Sequence, residues 1–476
     1  MTGIIGYGAY VPYHRLGAST NGWGQKTEKA VANYDEDSLT MAVAAGRDCL
    51  SNVDRSQVDA LFFASTTHPY AEKQVSPLIA AALDLRRDVL TFDLANSLRS
   101  GTLALRAALD MVKSGSIKQA LVVAADIRLG KPRSVFETSF GEGAAALLVG
   151  SSKPLATIED SYSISDDVLD LWRSPKDGFV RSWEDRFAIE RGYARVVREA
   201  VAGILQKHKL TPKDFQSLVL YAPDARRHAE MVRTLGFDPK TQVPDAMFNV
   251  MGNTGTAFAP MLLISALEKA KAGDRMLLVN YGNGADALIV RVTDAIGSFK
   301  PKLGVAGHIQ SKKIVEQYNT YLQWRGLLEY EPPMTRPADE RPAATALLRE
   351  EAKVFRLHGS KCLHCGNVQY PKDRVCIRCG AKDKFEDYKL SDRQASITSY
   401  SMEYVHPTLD PPMVVTILNF EGGGRLIAEM TDRDISKVKV GMPVEMTFRK
   451  LNSVESINNY YWKCAPPRDQ AGERRS

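Results

Sequence analysis

The sequence predicts an α/β fold of two similar halves, followed by a small metal-binding segment and a small β-barrel. Over residues 1–295, apolar β-rich stretches alternate with helical patterns, an order typical of a largely parallel sheet covered on both faces. Two C-x-x-C pairs follow, and after them come five short β patterns separated by Gly and Pro turns. Five such strands favour a barrel of the OB type.

The first half alternates strands and helices along its whole length. Its predicted strands lie at 4–11, 59–65, 89–95, 120–125 and 144–149, and its predicted helices at 38–50, 74–83 and 101–114. The last of these helices carries apolar residues at three-and-four spacing, the pattern of an amphipathic helix.

The second half repeats this pattern. We predict helices at 193–208, 225–235 and 255–272, and strands at 217–221, 275–281 and 287–293. Each half ends in a helix, a strand, a glycine-containing turn and an apolar strand, which indicates an internal duplication. We place the halves at 1–153 and 154–296.

The remaining chain changes character. Residues 297–342 hold an amphipathic stretch and a Pro-rich, charged linker. A helix running into the cysteine pairs is predicted at 343–357, within a helix-plus-ribbon segment at 343–390. The barrel is placed at 391–467, with strands at 397–404, 413–420, 425–430, 444–449 and 460–464, and a disordered tail is expected at 468–476.

Composition is that of a soluble globular protein. Of the 476 residues, 44% are hydrophobic and 25% charged. The 62 Lys and Arg against 56 Asp and Glu leave a net charge of +6, too small to indicate nucleic-acid binding by itself. No apolar run is long enough to span a membrane, and the N-terminus does not resemble a signal peptide. We expect a cytoplasmic protein with no membrane partner.

Four of the six cysteines form two C-x-x-C pairs, each followed by glycine: Cys362 with Cys365, and Cys376 with Cys379. Two such knuckles supply four thiolates, a tetrahedral set that favours a structural Zn²⁺ with no open position for water. Cys49 and Cys464 are interpreted as small buried residues.

A zinc ribbon next to an OB barrel is also typical of nucleic-acid-binding proteins. Tyr400, Tyr404 and Phe420 could stack on bases, but the basic residues of this region are scattered. Nucleic-acid binding is therefore a distant alternative, and we expect no nucleic-acid partner.

Several motifs of residues 3–330 resemble the thiolase superfamily, most closely the archaeal-type 3-hydroxy-3-methylglutaryl-CoA synthases and more distantly ketoacyl-acyl-carrier-protein synthase III. They are S-T-T-H-P-Y-A-E-K at 65–73, D-L-A-N-S-L-R-S-G-T at 93–102, D-L-W-R at 170–173, Y-A-P-D-A-R at 221–226, G-N-T-G at 252–255 and G-D-R-M-L-L-V-N-Y-G at 273–282. From about Arg341, the chain resembles the zinc-ribbon/OB-fold acyl-CoA-associated family through R-L-H-G-S-K-C-L-H-C-G-N-V-Q-Y-P at 356–371.

The resemblance implies a duplicated thiolase-like five-layer fold, a homodimer formed through that domain, and a CoA thioester as substrate. Enzymes of the family use a Cys at the N-terminus of a buried helix, where the helix dipole lowers the pKa of the thiol. A His and an Asn polarise the carbonyl of the second substrate, and the synthases add a Glu as acid and base.

This chain departs from the family at three of those four positions. The alignment places Leu98 at the Cys, Tyr221 at the His and Thr66 at the Glu, and only Asn253 matches. Leucine cannot attack a thioester, so the usual covalent route is closed at that position.

Three hypotheses follow. The first is cysteine-independent aldol or retro-aldol chemistry on an acyl-CoA, with Tyr221 as acid or base, Asn253 in the oxyanion site, and His68 and Asp224 in reserve; some thiolase-fold aldolases, which this chain resembles, use tyrosine in this way. The second is a non-catalytic scaffold, or a subunit that presents acyl-CoA to a separate thiolase or acyltransferase chain. The third is acyl transfer through a substitute nucleophile, for which Ser97, Ser100 and Thr102 are the candidates.

Binding of CoA requires cations near the mouth of the pocket. Arg226 falls where the synthase motif carries a Lys, and Arg99 and Arg227 are further candidates. The zinc and barrel module is expected to help bind the acyl-CoA.

Overall fold

A computed structural model describes residues 1–329 and 341–468. The predicted strands and helices of the first half are all present, with ends shifted by at most two residues. The elements are β1 (Gly3–Tyr10), β2 (His14–Leu16), β3 (Lys29–Val31), α1 (Ser38–Cys49), β4 (Ala60–Ala64), α2 (Ser76–Ala82), β5 (Leu90–Leu94), α3 (Ser100–Lys113), β6 (Gln119–Asp126), α4 (Val135–Ser139) and β7 (Gly143–Gly150).

The second half contains one long strand, β8, that the sequence analysis did not predict. Its elements are β8 (Ala156–Ser165), β9 (Leu171–Trp172), β10 (Arg181–Ser182), α5 (Asp185–Phe187), α6 (Ala194–His208), β11 (Ser217–Leu220), α7 (Ala225–Thr234), α8 (Phe258–Leu267), β12 (Arg275–Tyr281) and β13 (Gly284–Val292). The connection after residue 296 forms α9 (Gly304–Gln310), β14 (Lys313–Ile314) and α10 (Tyr318–Trp324). A π-helical turn, Ala188–Tyr193, precedes α6. The helix predicted at 255–272 is shorter than expected, because a 3₁₀ turn, Gly255–Ala257, occupies its start and it ends at Leu267.

One nine-stranded sheet joins the two halves, in the order β11-β12-β13-β8-β1-β7-β6-β4-β5. In the first half, β4 pairs in parallel with β6, β6 antiparallel with β7, and β7 antiparallel with β1. In the second half, β11, β12, β13 and β8 repeat this series of pairings in the same order. The internal duplication is therefore confirmed, and the halves meet where β1 pairs with β8.

The helices lie in layers on and between the halves. Helices α3 and α8 contact each other, and both pack on β7. On the outer faces, α1 packs on β1 and β7, and α6 packs on β8 and β13. This arrangement brings the N-terminus of α3 close to the turn between β12 and β13, where the candidate site lies.

The C-terminal part is a ribbon followed by a closed barrel. Its elements are α11 (Ala344–Arg349), α12 (Glu351–Val354), β15 (His358–Cys362), β16 (Val368–Gln369), β17 (Phe385–Lys389), β18 (Ala395–Glu403), β19 (Met413–Phe420), β20 (Arg425–Met430), β21 (Pro443–Val454) and β22 (Ile457–Ala465), with the barrel order β18-β19-β20-β22-β21. The prediction of a single helix at 343–357 was wrong, because Glu350 leaves the helical region (φ −103°, ψ 13°) and separates α11 from α12. Most of the Pro-rich segment at 332–342 and the tail beyond Arg468 lie outside the described residues.

The barrel packs firmly on the first half of the α/β body. Residues of α1 and α2 share one buried apolar cluster with the barrel interior. Arg449 of β21 also lies 2.6 Å from the Glu36 carboxylate and 3.2 Å from that of Asp35, and its side chain is 2% exposed. Apolar packing and buried ion pairs thus fix the barrel to the body. No helix within residues 1–329 and 341–468 has the length and apolar character needed to cross a bilayer.

Candidate active site and metal centre

A cavity of about 290 Å³ opens at the N-terminus of α3. Its wall combines the helix entrance with the turn between β12 and β13 and the segment at 167–173 that leads through β9. The lining residues that carry the argument are Thr66, Ser97, Leu98, Arg128, Asp170 and Gly282. Thr66 and Leu98, which align with the synthase Glu and Cys, therefore line the same cavity.

Leu98 lines this cavity and is 8% exposed. The nearby hydroxyls make local hydrogen bonds: Ser97 donates to the carbonyl of Gly282 (2.9 Å), Ser100 to Ala95 (3.2 Å) and Thr102 to Asp286 (2.7 Å). Cys49 and Cys464 are buried elsewhere, as predicted. The hydroxyl candidates for a substitute nucleophile thus hold the helix entrance in place.

Thr66, the residue aligned with the synthase Glu, is bound to the fully buried carboxylate of Asp126. Its backbone N–H donates to Asp126 at 2.7 Å and its hydroxyl at 3.0 Å. The hydroxyls of Ser65 and Thr67 and the backbone N–H of Thr256 donate to the same carboxylate. Asp126 therefore fixes the wall of the cavity on this side.

Tyr221 and Asn253 lie together, as the motif alignment predicts. The Nδ2 of Asn253 donates to the Tyr221 hydroxyl at 3.3 Å, and its Oδ1 accepts from the backbone N–H of Gly255 at 3.0 Å. Among the described residues, the phenol accepts this bond and donates none. Tyr221 is 1% exposed and does not line the cavity, but the charges of Arg128 and Asp170, which do line it, influence the pKa of its phenol.

Burial raises the pKa of the Tyr221 phenol above its ordinary value of 10.0. Arg128 and the hydrogen bond from Asn253 oppose this effect, and Asp170 and Asp126 add to it. The phenol is therefore neutral at physiological pH, which suits a proton donor better than a base.

The two reserve candidates lie outside the cavity lining. Asp224 caps the N-terminus of α7, with its Oδ1 accepting from the backbone N–H of Arg227 at 2.9 Å. His68 lies between the Asp93 carboxylate (3.8 Å) and the carbonyl of Leu94 (3.4 Å) at the end of β5. Both positions serve the local structure.

The three arginines proposed for CoA differ in their surroundings. Arg99 donates hydrogen bonds to the carbonyl of Gly282 at 2.9 Å and to the carboxylate of Asp286 at 3.0 Å. These bonds hold its guanidinium at the N-terminus of α3. Arg226 is exposed and pairs with Glu230 at 2.8 Å. Arg227 is 25% exposed and lines a separate cleft between α6 and α7.

Two cavity residues were not selected from the sequence. The Asp170 carboxylate accepts a 2.8 Å hydrogen bond from the Tyr281 hydroxyl. Asp170 is the first residue of the D-L-W-R motif, which carries part of the family resemblance but does not by itself indicate a role for the carboxylate. Arg128 stacks on the ring of Phe140 (4.2 Å to the centroid), and its Nη1 is buried with no hydrogen-bond partner in the described part of the chain. A carboxylate and a guanidinium thus face a cavity that lacks a thiol.

The metal centre is formed as predicted. The sulfur atoms of Cys362, Cys365, Cys376 and Cys379 lie within 4.8 Å of one another, with 3.7 Å between Cys362 and Cys379 and 3.6 Å between Cys365 and Cys376. Tetrahedral zinc with bonds of about 2.3 Å places its sulfur ligands about 3.8 Å apart. The four thiolates therefore fit a structural Zn²⁺.

Replacing one ligand tests this centre. We expect Cys376→Ser to lower the zinc content well below one ion per chain and to speed amide hydrogen exchange over β15–β17, because three thiolates hold the ion less tightly. Metal analysis and hydrogen exchange measure the two effects. Cys49→Ala is the control and should keep its zinc; a Cys376→Ser protein that also keeps a full zinc ion would contradict the assignment.

Comparison with known families agrees with this two-part organisation. Residues 92–167 match 3-oxoacyl-[acyl-carrier-protein] synthase III, and 205–292 match the C-terminal part of the same enzyme. Residues 349–386 match the rubredoxin-like zinc ribbon domain of ChsH2, and 388–449 match its C-terminal OB-fold domain. The predicted zinc ribbon and OB barrel are confirmed.

Hydroxymethylglutaryl-CoA synthases are similar to this chain over nearly their full length. That of Methanocaldococcus jannaschii is 31% identical over 68% of this chain and 99% of its own length, and that of Aeropyrum pernix is 34% identical over 68% and 94%. Among solved structures, an HMG-CoA synthase complexed with CoA has a TM-score of 0.60 at 17% identity, covering 68% of this chain and 89% of that one. The synthase III of Aquifex aeolicus has a TM-score of 0.54 at 23% identity, covering 61% of this chain and all of its own. The thiolase-like fold is thus confirmed, and the chain belongs to the hydroxymethylglutaryl-CoA synthase family of the thiolase superfamily, with a ChsH2-like zinc ribbon and OB-fold domain fused to it.

Proposed function

We propose that this protein cleaves or forms a carbon–carbon bond in an acyl-CoA by aldol-type chemistry that needs no cysteine nucleophile. One observation carries the proposal: the cavity at the start of α3 is lined by Leu98, and it also holds Asp170 and Arg128. An acyl-enzyme needs a nucleophile at the reacting carbonyl, whereas an aldol cleavage needs only a base, an acid and a donor for the enolate oxygen.

In the cleavage direction, the substrate is a 3-hydroxyacyl-CoA. A base takes the proton of the 3-hydroxyl, the C2–C3 bond breaks, and C3 becomes a carbonyl carbon. The electron pair of the broken bond forms the thioester enolate, and an acid then adds a proton at C2. The reaction consumes no oxidant or reductant, and the proton count balances.

Asp170 and Arg128 receive their roles because they line the cavity, whereas Tyr221, which does not line it, receives its role because its phenol stays protonated and is held by Asn253. Asp167 and Asp170 both line the cavity, and we assign the base role to Asp170 because the Tyr281 hydroxyl holds its carboxylate at 2.8 Å. The Nη1 of Arg128, which has no hydrogen-bond partner among the described residues, is assigned to the enolate oxygen. Tyr221 is assigned the acid role, because burial keeps it protonated and the amide of Asn253 orients its oxygen.

Replacing the base tests the proposal. We expect Asp170→Asn to lower kcat for 3-hydroxyacyl-CoA cleavage about 100-fold or more, the usual range for loss of a general base. Product formation is followed by chromatography of the CoA thioesters. Asp185→Asn on exposed α5 is the matched control and should act like the native chain. An Asp170→Asn protein with native kcat would remove Asp170 from the mechanism.

A second candidate function is a subunit that presents acyl-CoA to a separate thiolase or acyltransferase. Leu98 favours it, because an apolar side chain at this position is also expected where catalysis has been lost. The native chain would then bind acyl-CoA without converting it, and turnover would appear only when the partner enzyme is added.

We also propose a homodimer formed through the α/β body. Strand β5 lies at the edge of the nine-stranded sheet, and Leu90 within it is 47% exposed. An open edge of this kind is suited to pairing with a second copy. Light scattering should give about twice the 52.6-kDa chain mass. Leu90→Arg should shift the mass toward that of one chain, whereas Ile427→Arg on the barrel should not; a native monomer would contradict the dimer.

A further inference from the structure

A second concave site lies between α6 and α7, apart from the cavity at α3. It has a volume of about 440 Å³ and an apolar floor that includes Ile189 and Met231. Its walls carry arginines from both sides: Arg191 from the π-helical turn, Arg195 and Arg198 from α6, and Arg227 from α7. Their spacing along the turn and α6 places the first three on one stripe that faces α7.

The charge in this cleft is not balanced by its own acidic residues. The cleft has four arginines but two glutamates, and both glutamates also pair with arginines outside it: Glu190 with Arg186 at 2.9 Å, and Glu230 with Arg226 at 2.8 Å. The Arg227 guanidinium lies 3.6 Å from Glu230, and its Nε is buried with no hydrogen-bond partner in the described ranges.

Of the other three arginines, Arg191 and Arg198 keep guanidinium nitrogens with no partner in the described part of the chain, whereas Arg195 does not. Each nitrogen of the Arg195 guanidinium donates a hydrogen bond, to the carbonyl of Arg191 (2.7 Å), to Glu199 (3.3 Å) and to Asp166, so its charge is paired. Arg198 uses only its Nε within the described chain, on the carbonyl of Ala194 at 2.9 Å, and no ion pair of Arg191 is found there. Like charges that converge on a concave surface repel one another unless an anion lies between them.

We infer that the α6–α7 cleft binds an organic phosphate of nucleotide size. Guanidinium groups match phosphate oxygens in geometry and charge, and the apolar floor suits a planar base. The concave shape favours a small ligand over the surface of an acidic protein. The phosphate belongs either to the nucleotide end of the acyl-CoA substrate or to a separate free nucleotide. The first assignment rests on the proposed function.

Calorimetric titration with adenosine 3′,5′-bisphosphate tests the cleft without requiring activity. The native chain should bind it, and R191A/R198A should bind at least tenfold more weakly, since each lost charged hydrogen bond costs about a factor of ten or more. Arg233→Ala, outside the cleft lining, is the control and should bind normally. No binding to the native chain, unchanged binding to R191A/R198A, or cleft-dependent binding of an acidic carrier protein alone would overturn the inference.

Competition identifies the source of the phosphate. If CoA displaces the bisphosphate, the cleft holds the nucleotide end of the substrate, and R191A/R198A should raise KM for acyl-CoA but not for an acyl-pantetheine. If CoA binds without displacing it, the ligand is a separate nucleotide. Because the titration measures binding alone, it tests the phosphate site independently of whether the native chain cleaves an acyl-CoA.

Discussion

Replacing Arg449 by alanine is expected to loosen the barrel from the α/β body and to destabilise the chain by about 3–5 kcal/mol, the usual cost of leaving buried charges uncompensated. The guanidinium lies 3.2 Å from Asp35, 2.6 Å from Glu36 and 2.5 Å from Asp432. All four side chains are at most 5% exposed, and although Lys463 remains 3.0 Å from Asp35, the loss of the guanidinium removes the cation beside Glu36. Burial already raises the pKa of Glu36, and Arg449 is the first group that opposes this effect.

Thermal unfolding measures the result. The native chain should unfold with barrel and body together, whereas Arg449→Ala should unfold at a lower temperature with the barrel separating first. Adding Glu36→Gln to the variant removes one orphaned charge and should restore part of the loss. Arg425→Ala, an exposed barrel residue bound to Asn419, is the control. An Arg449→Ala protein with native Tm would show that the buried cluster does not hold the barrel.

Replacing Tyr221 by phenylalanine is expected to lower kcat for acyl-CoA cleavage by about 100-fold to 10,000-fold, because the proposed proton donor is lost. The fold should persist, since the ring keeps its edge contact with Phe258 at 5.9 Å and loses one hydrogen bond, worth about 1 kcal/mol. Tyr162→Phe, at an exposed position on β8, is the control.

The pH profile separates a proton donor from a merely structural tyrosine. Because burial raises the pKa of Tyr221, the phenol stays protonated as pH increases through roughly 7 to 9. Deprotonation of Tyr221 should therefore not lower kcat of the native chain over this pH range. If Tyr221→Phe keeps native kcat, or if the native rate falls in this range and the fall disappears in Tyr221→Phe, the acid role is wrong.

Much of the fold could be predicted from the sequence because apolar periodicity sets sheet and helix faces. The long strand β8 was not predicted because its polar/apolar alternation is interrupted: Glu159 and Asp160 place two adjacent charges in its centre, and much of the strand is only partly buried. The π-helical turn before α6 carries no distinguishing pattern. Two short helices replaced the one predicted at 343–357, because a backbone change at Glu350 is invisible to periodicity.

The site was predictable where local motifs carry it. Leu98, Thr66, Tyr221 and Asn253 were selected through the family motifs, and the four thiolates through their spacing. Asp170 was not, because the segment that holds it meets the α3 entrance only in the folded chain. The pairing of Arg449 with Asp35 joins positions 414 residues apart, a distance over which one sequence gives no signal.

The central claim is that this site acts on acyl-CoA without a covalent intermediate, and one measurement tests it directly. The native chain is incubated with acetyl-CoA and with a 3-hydroxyacyl-CoA, and intact protein mass under denaturing conditions is recorded together with the small-molecule products. The account predicts a shortened acyl-CoA and a carbonyl compound, with the protein mass unchanged. A covalent acyl adduct would contradict it and direct attention to Ser97, Ser100 or Cys49; neither adduct nor cleavage would contradict it in favour of the acyl-CoA-presenting subunit.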